Sequence, residues 1–470
     1  MRAARPCLAL LYLFGSLLAW PQTPPGPPQT YSFTLEDAVN YAVAHYPAVR
    51  ASLERLNAAK AGVGLAKTSY LPAVNLLWQS NRATYNNIAG LLLPQSVIPS
   101  LSGPVLPDTS GRPAWGTGAG ALLSWEPFDF GLRSANIAVA SAADRSASYQ
   151  LDITKLEIAA GAADSFLGVV VAQQARRAAQ ANVDRRQAFA KFVHVLVDNQ
   201  LRPGVDASRA DAELAAAEVQ LLRSEQSESD ADTGLTQALG IAGQTVEVRS
   251  GSLSSDLPGV TGSAPALAAN PFARFSMSQV DQAQARVHVV DRSYFPEFHL
   301  QSAIAGRGSG VMPNGTFSGG DNGLAPDRYN WAVGLTASFP AFDWFALRNR
   351  KQIEAANQRA AQAEYDQTLQ GLTAQEQRAR TAFATAQSIA QKTAIELGSA
   401  RLAETQAEAR YRAGLATLVE VAEAQQLLVQ AETDDSVARL SVWRALLQQA
   451  FAQGDLQPFL EAARKAGGTP

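Results

Sequence analysis

Glu420 and Glu423, in RYRAGLATLVEVAEAQ (410–425), are the residues whose type and spacing come nearest to doing chemistry. Residues three apart share one face of a helix. Two carboxylates held there repel, and they concentrate cations where the surrounding space is narrow. That is the chemistry of charge rather than of bond breaking, and on a lone helix the same pair is an ordinary solvated face. Patterns that would break bonds are missing. His45, His194, His288 and His299 are scattered without ligand spacing. Met1, Met277 and Met312 make no soft-metal site. GLRSANIAVA (131–140) is no phosphate loop, and no Ser/His/Asp arrangement stands out. We therefore expect no cofactor, no metal and no enzyme. Asp129 and Asp343 each follow a proline and precede a helical pattern, as residues that cap helix N-termini do.

The elements around this pair are unusual. In YNWAVGLTASFP (329–340), Tyr329, Trp331, Val333, Leu335, Ala337 and Phe339 alternate with Asn330, Ala332, Gly334, Thr336 and Ser338. Side chains alternate faces along a strand, so one face is apolar and the other small and polar. Val74, Leu76 and Trp78 alternate in the same way with Asn75, Gln79 and Asn81. Trp115, Thr117, Ala119, Ala121, Leu123 and Trp125 alternate with Gly116, Gly118, Gly120, Ser124 and Glu126. Phe298, Leu300 and Ile304 alternate with His299, Gln301 and Arg307. Strands of about 9–11 tilted residues cross a bilayer, and apolar-out, polar-in alternation marks outer-membrane barrels. Trp78, Trp115, Trp125, Trp331, Phe339 and Trp344 suit the aromatic girdles at the two interfaces. Four strands do not close a barrel, and open sheet edges are not tolerated in lipid. The chain must oligomerise, and three copies would supply twelve strands around a water-filled lumen. The segments 82–114 and 308–328, rich in Gly, Pro, Asn and Ser, read as exposed loops at the outer mouth.

Three landmarks occur twice in the same order. TSYLP (68–72) is echoed by RSYFP (292–296), and WEPFDFGLR (125–133) by FPAFDWFALR (339–348). LRPGVDASRADAELAAAE (201–218) is echoed by YRAGLATLVEVAEAQQLL (411–428). Their offsets are 224, 214 and 210 residues, so the chain holds two structural copies, 31–240 and 271–453, joined by 241–270 and followed by a tail, 454–470. Each copy reads as helix, two strands, a very long helix, a glycine tip and a returning helix. The first long helix, from Leu132 to about Gln200, has a seam at Tyr149, Ile153, Leu156, Ala160, Ala163, Leu167 and Val170. The second repeats the spacing at Tyr365, Leu369, Leu372, Glu376, Ala379, Phe383 and Ala386. Alternating steps of four and three define a coiled-coil seam. Gly204 and Gly414 are read as the left-handed turn residues of the two tips.

The balance of 39 basic against 42 acidic residues, net −3, gives no pull toward nucleic acid. No run reaches the roughly 20 apolar residues of a membrane helix. Residues 1–20, with Arg2 and Arg5 before CLALLYLFGSLLAW, read as an export signal, and PQTPPGPPQT (21–30) as a stiff leader. Cys7, the one cysteine, allows no intramolecular disulfide.

FTLEDAVNYAVAHYPAVRAS (33–52), YLP (70–72), WEPFDFGLRSANIAVA (125–140), RYRAGLATLVEVAEAQ and the duplication together make the chain resemble the TolC-like outer membrane factors of tripartite efflux and type I secretion systems. The resemblance implies a mixed α and β fold in which duplicated coiled-coil hairpins form a periplasmic α-barrel. Four transmembrane strands per chain would join a homotrimeric twelve-stranded β-barrel in the outer membrane lipid. It implies a passive duct that docks a periplasmic adaptor and an inner-membrane pump. The tip residues Leu201, Arg202, Gly204, Arg412, Gly414 and Leu415 would meet the adaptor. Glu420, Glu423 and Tyr411 would form the periplasmic gate, with Leu418, Val421 and Leu428 packed away from it. The chain departs from the family at Pro203 in the first tip and at Ala416, where some members carry a basic residue. A non-conducting coiled-coil scaffold would need the helices but not the strand pairs. A secreted enzyme would need a clustered site.

Overall fold

The computed structural model describes residues 30–88, 91–98, 103–251, 253, 256–259, 266–312, 314–318, 320–339 and 343–467. The expected export signal, and the leader up to residue 29, lie outside them.

Six strands and eight α-helices follow one another in the order β1 (Thr30–Phe33), α1 (Leu35–His45), α2 (Pro47–Thr68), β2 (Ala73–Thr84), β3 (Pro113–Phe128), α3 (Leu132–Asp198), α4 (Gly204–Leu239), β4 (Thr245–Val248), α5 (Pro271–Arg292), β5 (Glu297–Ser309), β6 (Arg328–Ser338), α6 (Trp344–Arg412), α7 (Leu418–Gln453) and α8 (Gln457–Gly467). The four long strands expected from alternation form one antiparallel sheet in the order β2-β3-β5-β6. Its outer edges, on β2 and β6, have no neighbouring strand among the described residues. β3 to β5 is the junction between the two copies, with Ala119 opposite Gly306 and Leu123 opposite Ser302.

The helices form two antiparallel hairpins, α3 with α4 and α6 with α7. α3 has 67 residues and α6 has 69, which at about 1.5 Å per residue gives each roughly 100 Å. The α3 seam is buried at Ile153, Leu156, Ala163, Leu167 and Val170. Part of α3 is apolar enough by composition to cross a membrane, but half of that stretch is buried inside the molecule. α6 buries less, keeping Leu372, Ala379 and Phe383 inside.

The sequence reading missed a collar. β1 and β4 pair in parallel, Phe33 opposite Val248. With α1 and α8 they cover the middle of the hairpins and complete the largest core, around Phe166, Leu235, Leu239, Trp443 and Phe459. Trp443 is fully buried, and its indole N–H donates to the Asp256 carbonyl at 3.0 Å. Arg464 of α8 pairs with Glu36 of α1. The stretch 454–467 is therefore a packed helix and not a loose tail.

Asp129 holds the joint between sheet and helices. Its Oδ2 accepts from the Arg133 backbone N–H at 2.5 Å and from Arg133 Nε at 3.0 Å, and its Oδ1 accepts from the Gly131 N–H at 3.2 Å. The Arg133 guanidinium lies 4.7 Å from the Tyr70 ring and donates to the Ser69 carbonyl, which clamps the TSYLP turn to the start of α3. In the second copy Leu347 stands where Arg133 does, and Asp343 makes no side-chain capping bond. The first joint thus has a buried ion pair, and beside the second Lys351 pairs with Asp291 at 2.6 Å in a more exposed setting. Burial by itself would raise the Asp129 carboxyl, but the hydrogen bonds from Arg133 and Gly131 outweigh it and hold its pKa below the ordinary carboxylate value. Both side chains are buried, so Asp129→Ala, which strands Arg133, is expected to cost about 3–5 kcal/mol. Thermal unfolding measures this. A depressed pKa contributes stability that is complete above the unfolded carboxylate value and lost as pH falls through the folded one. The difference between parent and variant should therefore shrink over that acidic window.

Candidate functional site

The molecule has two functional ends. At the membrane end the register puts Val74, Leu76, Trp78, Ala121, Leu123, Ile304, Trp331, Val333 and Leu335 on one face of the sheet. Trp331 is 80% and Leu335 65% exposed, and Leu76 and Trp78 are equally bare. Burying such a face removes much apolar surface from water, at about 25 cal/mol per Å². The other face carries Asn75, Gln79, Gly118, Gly120, His299, Gln301, Asn330, Gly334 and Thr336. Tyr329 to Phe339 covers about 33 Å at roughly 3.3 Å per residue, which at a tilt of about 45° matches a 25 Å apolar band. Trp125, whose indole donates to the Tyr70 carbonyl at 3.0 Å, lies toward the helical end with Phe339 and Trp344. Trp78 and Trp331 lie toward the loop end. Two residues depart from the expected pattern. Thr117 is fully buried and donates to the Leu324 carbonyl at 3.0 Å. Trp115 is half-buried, with Arg82 over its ring. Both are covered by the outer loops because β3 runs on past the exposed band.

At the far end the two tips pack side by side. Tyr411, Phe189, Val193, Ala210, Leu418 and Val421 form a small core there. Tyr411 is only 1% exposed, with its ring 5.5 Å from Phe189 and the Arg202 guanidinium 4.5 Å from its centroid. Arg202 also donates to the Tyr411 carbonyl. Burial, then the Asp206 carboxylate beside it, raises the Tyr411 pKa. Arg412 lies over Phe192 and pairs with Glu408. Arg202 and Tyr411 thus join the first hairpin to the second.

The turn at the first tip is not where its glycine predicted. Gly414 has φ +74°, but Gly204 is the first residue of α4, and the left-handed residue of the first tip is Gln200, φ 59°. Pro203 explains the shift. It keeps the residue before it out of the helical region, so α3 must end earlier. The closing hydrogen bonds match, Leu201 N–H to the Leu196 carbonyl and Leu415 N–H to the Arg410 carbonyl, each 2.9 Å. The tips therefore correspond at an offset of 214, which equates Leu201 with Leu415, Val205 with Val419, Arg202 with Ala416 and Asp206 with Glu420. Leu201 and Leu415 are 68% and 71% exposed, and Val205 is equally bare. Val205 was not singled out from sequence, because the true offset is visible only in the turn geometry.

The acidic pair is divided. Both glutamates are exposed, and Leu418, Val421 and Leu428 are buried. Glu420 accepts from the Thr417 N–H and hydroxyl at 3.2 Å while Thr417 caps the Glu420 N–H, closing a capping box at the start of α7. Its other oxygen lies 3.9 Å from Arg410. Glu423 has no such engagement among the described residues. No group of three or more potential metal ligands is assembled among the described residues.

A sheet with one bare apolar face, joined to helical hairpins of about 100 Å, defines an outer membrane protein with a periplasmic extension. The family model described as outer membrane efflux protein matches residues 38–241 and 265–454, so the chain belongs to that family. It is 27% identical over 346 residues to the pyoverdine export outer membrane protein OpmQ of Pseudomonas putida, covering 72% of this chain and 70% of that one. Among solved structures it resembles the outer-membrane channel OprN, with 20% identity, a TM-score of 0.71 and 89% of each chain covered. It also resembles CusC, with 14% identity, a TM-score of 0.75 and 90% and 92% covered.

Arg near the midplane of a barrel's lipid face costs about 2–4 kcal/mol. Leu335→Arg is therefore expected to reduce the heat-resistant assembled form recovered from outer membranes, and Thr336→Arg, on the opposite face of the same strand, to leave it near parent level.

Proposed function

We propose that the chain is one subunit of a trimeric, passive export duct, whose three four-stranded sheets close into a twelve-stranded barrel and whose six hairpins form a tube through the periplasm. The observation that carries this reading is the sheet itself. It has one bare apolar face, one small polar face and two unpaired edges, β2 and β6. In lipid those edges require strands from other copies, and the polar face then lines water. A scaffold without conduction would have no use for a lumen face of glycine, asparagine and threonine. The family membership and the export role in the name of OpmQ support the same reading. Outer-membrane fractions should yield a trimer that heating converts to monomer. A chain that stays monomeric in intact membranes would sink the proposal.

The tips are the docking ends for a periplasmic adaptor coupled to an inner-membrane pump, which supplies the energy. Leu201, Val205 and Leu415 present apolar side chains there. Arg202, Gly204, Arg412 and Gly414 shape the turns beneath them. Cysteines at 201 and 415 are expected to crosslink to a co-expressed adaptor in cells. Exclusive reaction with a cell-surface probe would reverse the orientation.

Glu423, with Glu420 beside it, is the acidic element of the periplasmic mouth, and Tyr411 holds the tips beneath it together. Glutamine serves in a capping box as glutamate does, so Glu420→Gln removes charge while keeping the start of α7. Glu420→Gln/Glu423→Gln is expected to lower cation selectivity and block by multivalent cations in planar-bilayer recordings, with Glu423→Gln alone giving most of the effect. Unchanged selectivity in an assembled channel would remove both residues from the mouth.

A further inference from the structure

We propose that residues 91–98, between β2 and β3, are a lid over the outer mouth of the duct, seated on the lumen face of their own sheet. This rests on the face assignment made above for the barrel. The segment 82–114 reads from sequence as an exposed loop, yet Ile98 is only 4% exposed. Its seat is Gly118. A Cβ on that residue would lie 3.1 Å from Ile98 Cδ1 and 3.2 Å from Leu92 Cδ2, so only glycine leaves the loop this close to the sheet without displacement. Gly118 lies on the same face as Asn81, Gly120 and Thr336, which is the face assigned to the lumen.

Two hydrogen bonds strap the loop across that face from opposite sides. Asn81 of β2 donates its side-chain N–H to the Leu91 carbonyl at 2.6 Å. Ser309 of β5, opposite Gly116 in the register, donates to the Ile88 carbonyl at 3.0 Å. Leu91 is therefore held at β2 and Ile88 at β5, on either side of β3. The shape of its inner part is fixed internally. The Gln95 carboxamide oxygen accepts from the N–H groups of Val97 and Ile98 at 2.7 Å, and its amide donates back to the Ile98 carbonyl at 2.5 Å. This local clamp presents Ile98 to the sheet. Apolar side chains on a polar lumen face gain nothing from lipid, and they are held there by the glycine seat and the two straps. Three such loops around the threefold axis would narrow the outer end of the lumen independently of the acidic mouth at the other end. The functional consequence is a size limit on what enters from outside the cell.

The test uses cells carrying the full chain with Cys7→Ser and a reporter cysteine at Thr336→Cys. That position lies on the lumen face about 20 Å deeper than Tyr329, at roughly 3.3 Å per residue. A small maleimide is expected to label it in every assembled variant. A polyethylene-glycol maleimide too large for general porins should give only background labelling in the full chain. It should reach the small reagent's level when residues 91–98 are replaced by a short Gly-Ser link. Gly118→Leu, which unseats the loop without removing it, should raise labelling as well. Labelling of the full chain by the large reagent as readily as the loop replacement would overturn the lid. So would its continued exclusion from a loop replacement recovered in the outer membrane. Leu335→Cys separates the two levels of the argument. Maleimides react with the thiolate, which a thiol facing lipid does not form, so this position should stay unlabelled. Labelling at 335 but not at 336 would overturn the face assignment and the lid together, whereas the expected face pattern without size dependence overturns the lid alone.

Discussion

Every backbone N–H and C=O that enters a bilayer must find a partner, because lipid offers none and each orphan costs several kcal/mol. This chain supplies four strands and leaves β2 and β6 open along their outer sides. Among the described residues no strand pairs with them. The proposed association of further copies, and the lumen those copies would enclose, both rest on these two open edges. The same sheet sets the position of the helices. β3 ends near the Asp129–Arg133 joint, from which α3 starts, and β6 ends at Ser338, shortly before α6 starts at Trp344.

The duplication is close to symmetric in plan and asymmetric in chemistry. The first joint is a buried ion pair, whereas at the second Leu347 is buried in the place of Arg133 and the ion pair beside it, Lys351 with Asp291, is more exposed. At the tips, Arg202 in the first copy corresponds to Ala416 in the second. The basic group absent at 416 is thus present on the neighbouring hairpin, where it stacks on Tyr411. The two turns use different residues for the same left-handed conformation. Gln200 adopts it with a Cβ that glycine at 414 does not have, a strain of about 1–2 kcal/mol imposed by the proline three residues later.

The collar of β1, β4, α1 and α8 clamps both hairpins near the middle. Beyond it toward the tips, contact between the hairpins narrows to the small core around Tyr411 and to single links such as Arg185 of α3 with Glu432 of α7 at 2.9 Å. Fewer buried contacts mean a lower cost of local rearrangement. The tip end is therefore where the two hairpins are less firmly held to each other.

Periodicity alone determined the long elements. Alternation in 74–81 and 329–339, and the four-three seam from Tyr149 to Val170, each follow from one local geometry repeated many times, so strands and helices were legible with their faces. The duplicated landmarks fixed the order of elements and, through the family they resemble, the membrane in which they sit. Tertiary structure decided what depends on contacts distant in sequence. Thr30–Phe33 and Thr245–Val248 are too short to show a period and become strands only by pairing with each other. Trp443 reads like any other aromatic residue until α8 covers it. The first turn moved from Gly204 to Gln200 because proline restrains its predecessor, and that shift realigned the two tips. Ile98 lies in a segment with the composition of an exposed loop, and it is buried because a glycine on a strand 20 residues later leaves room for it.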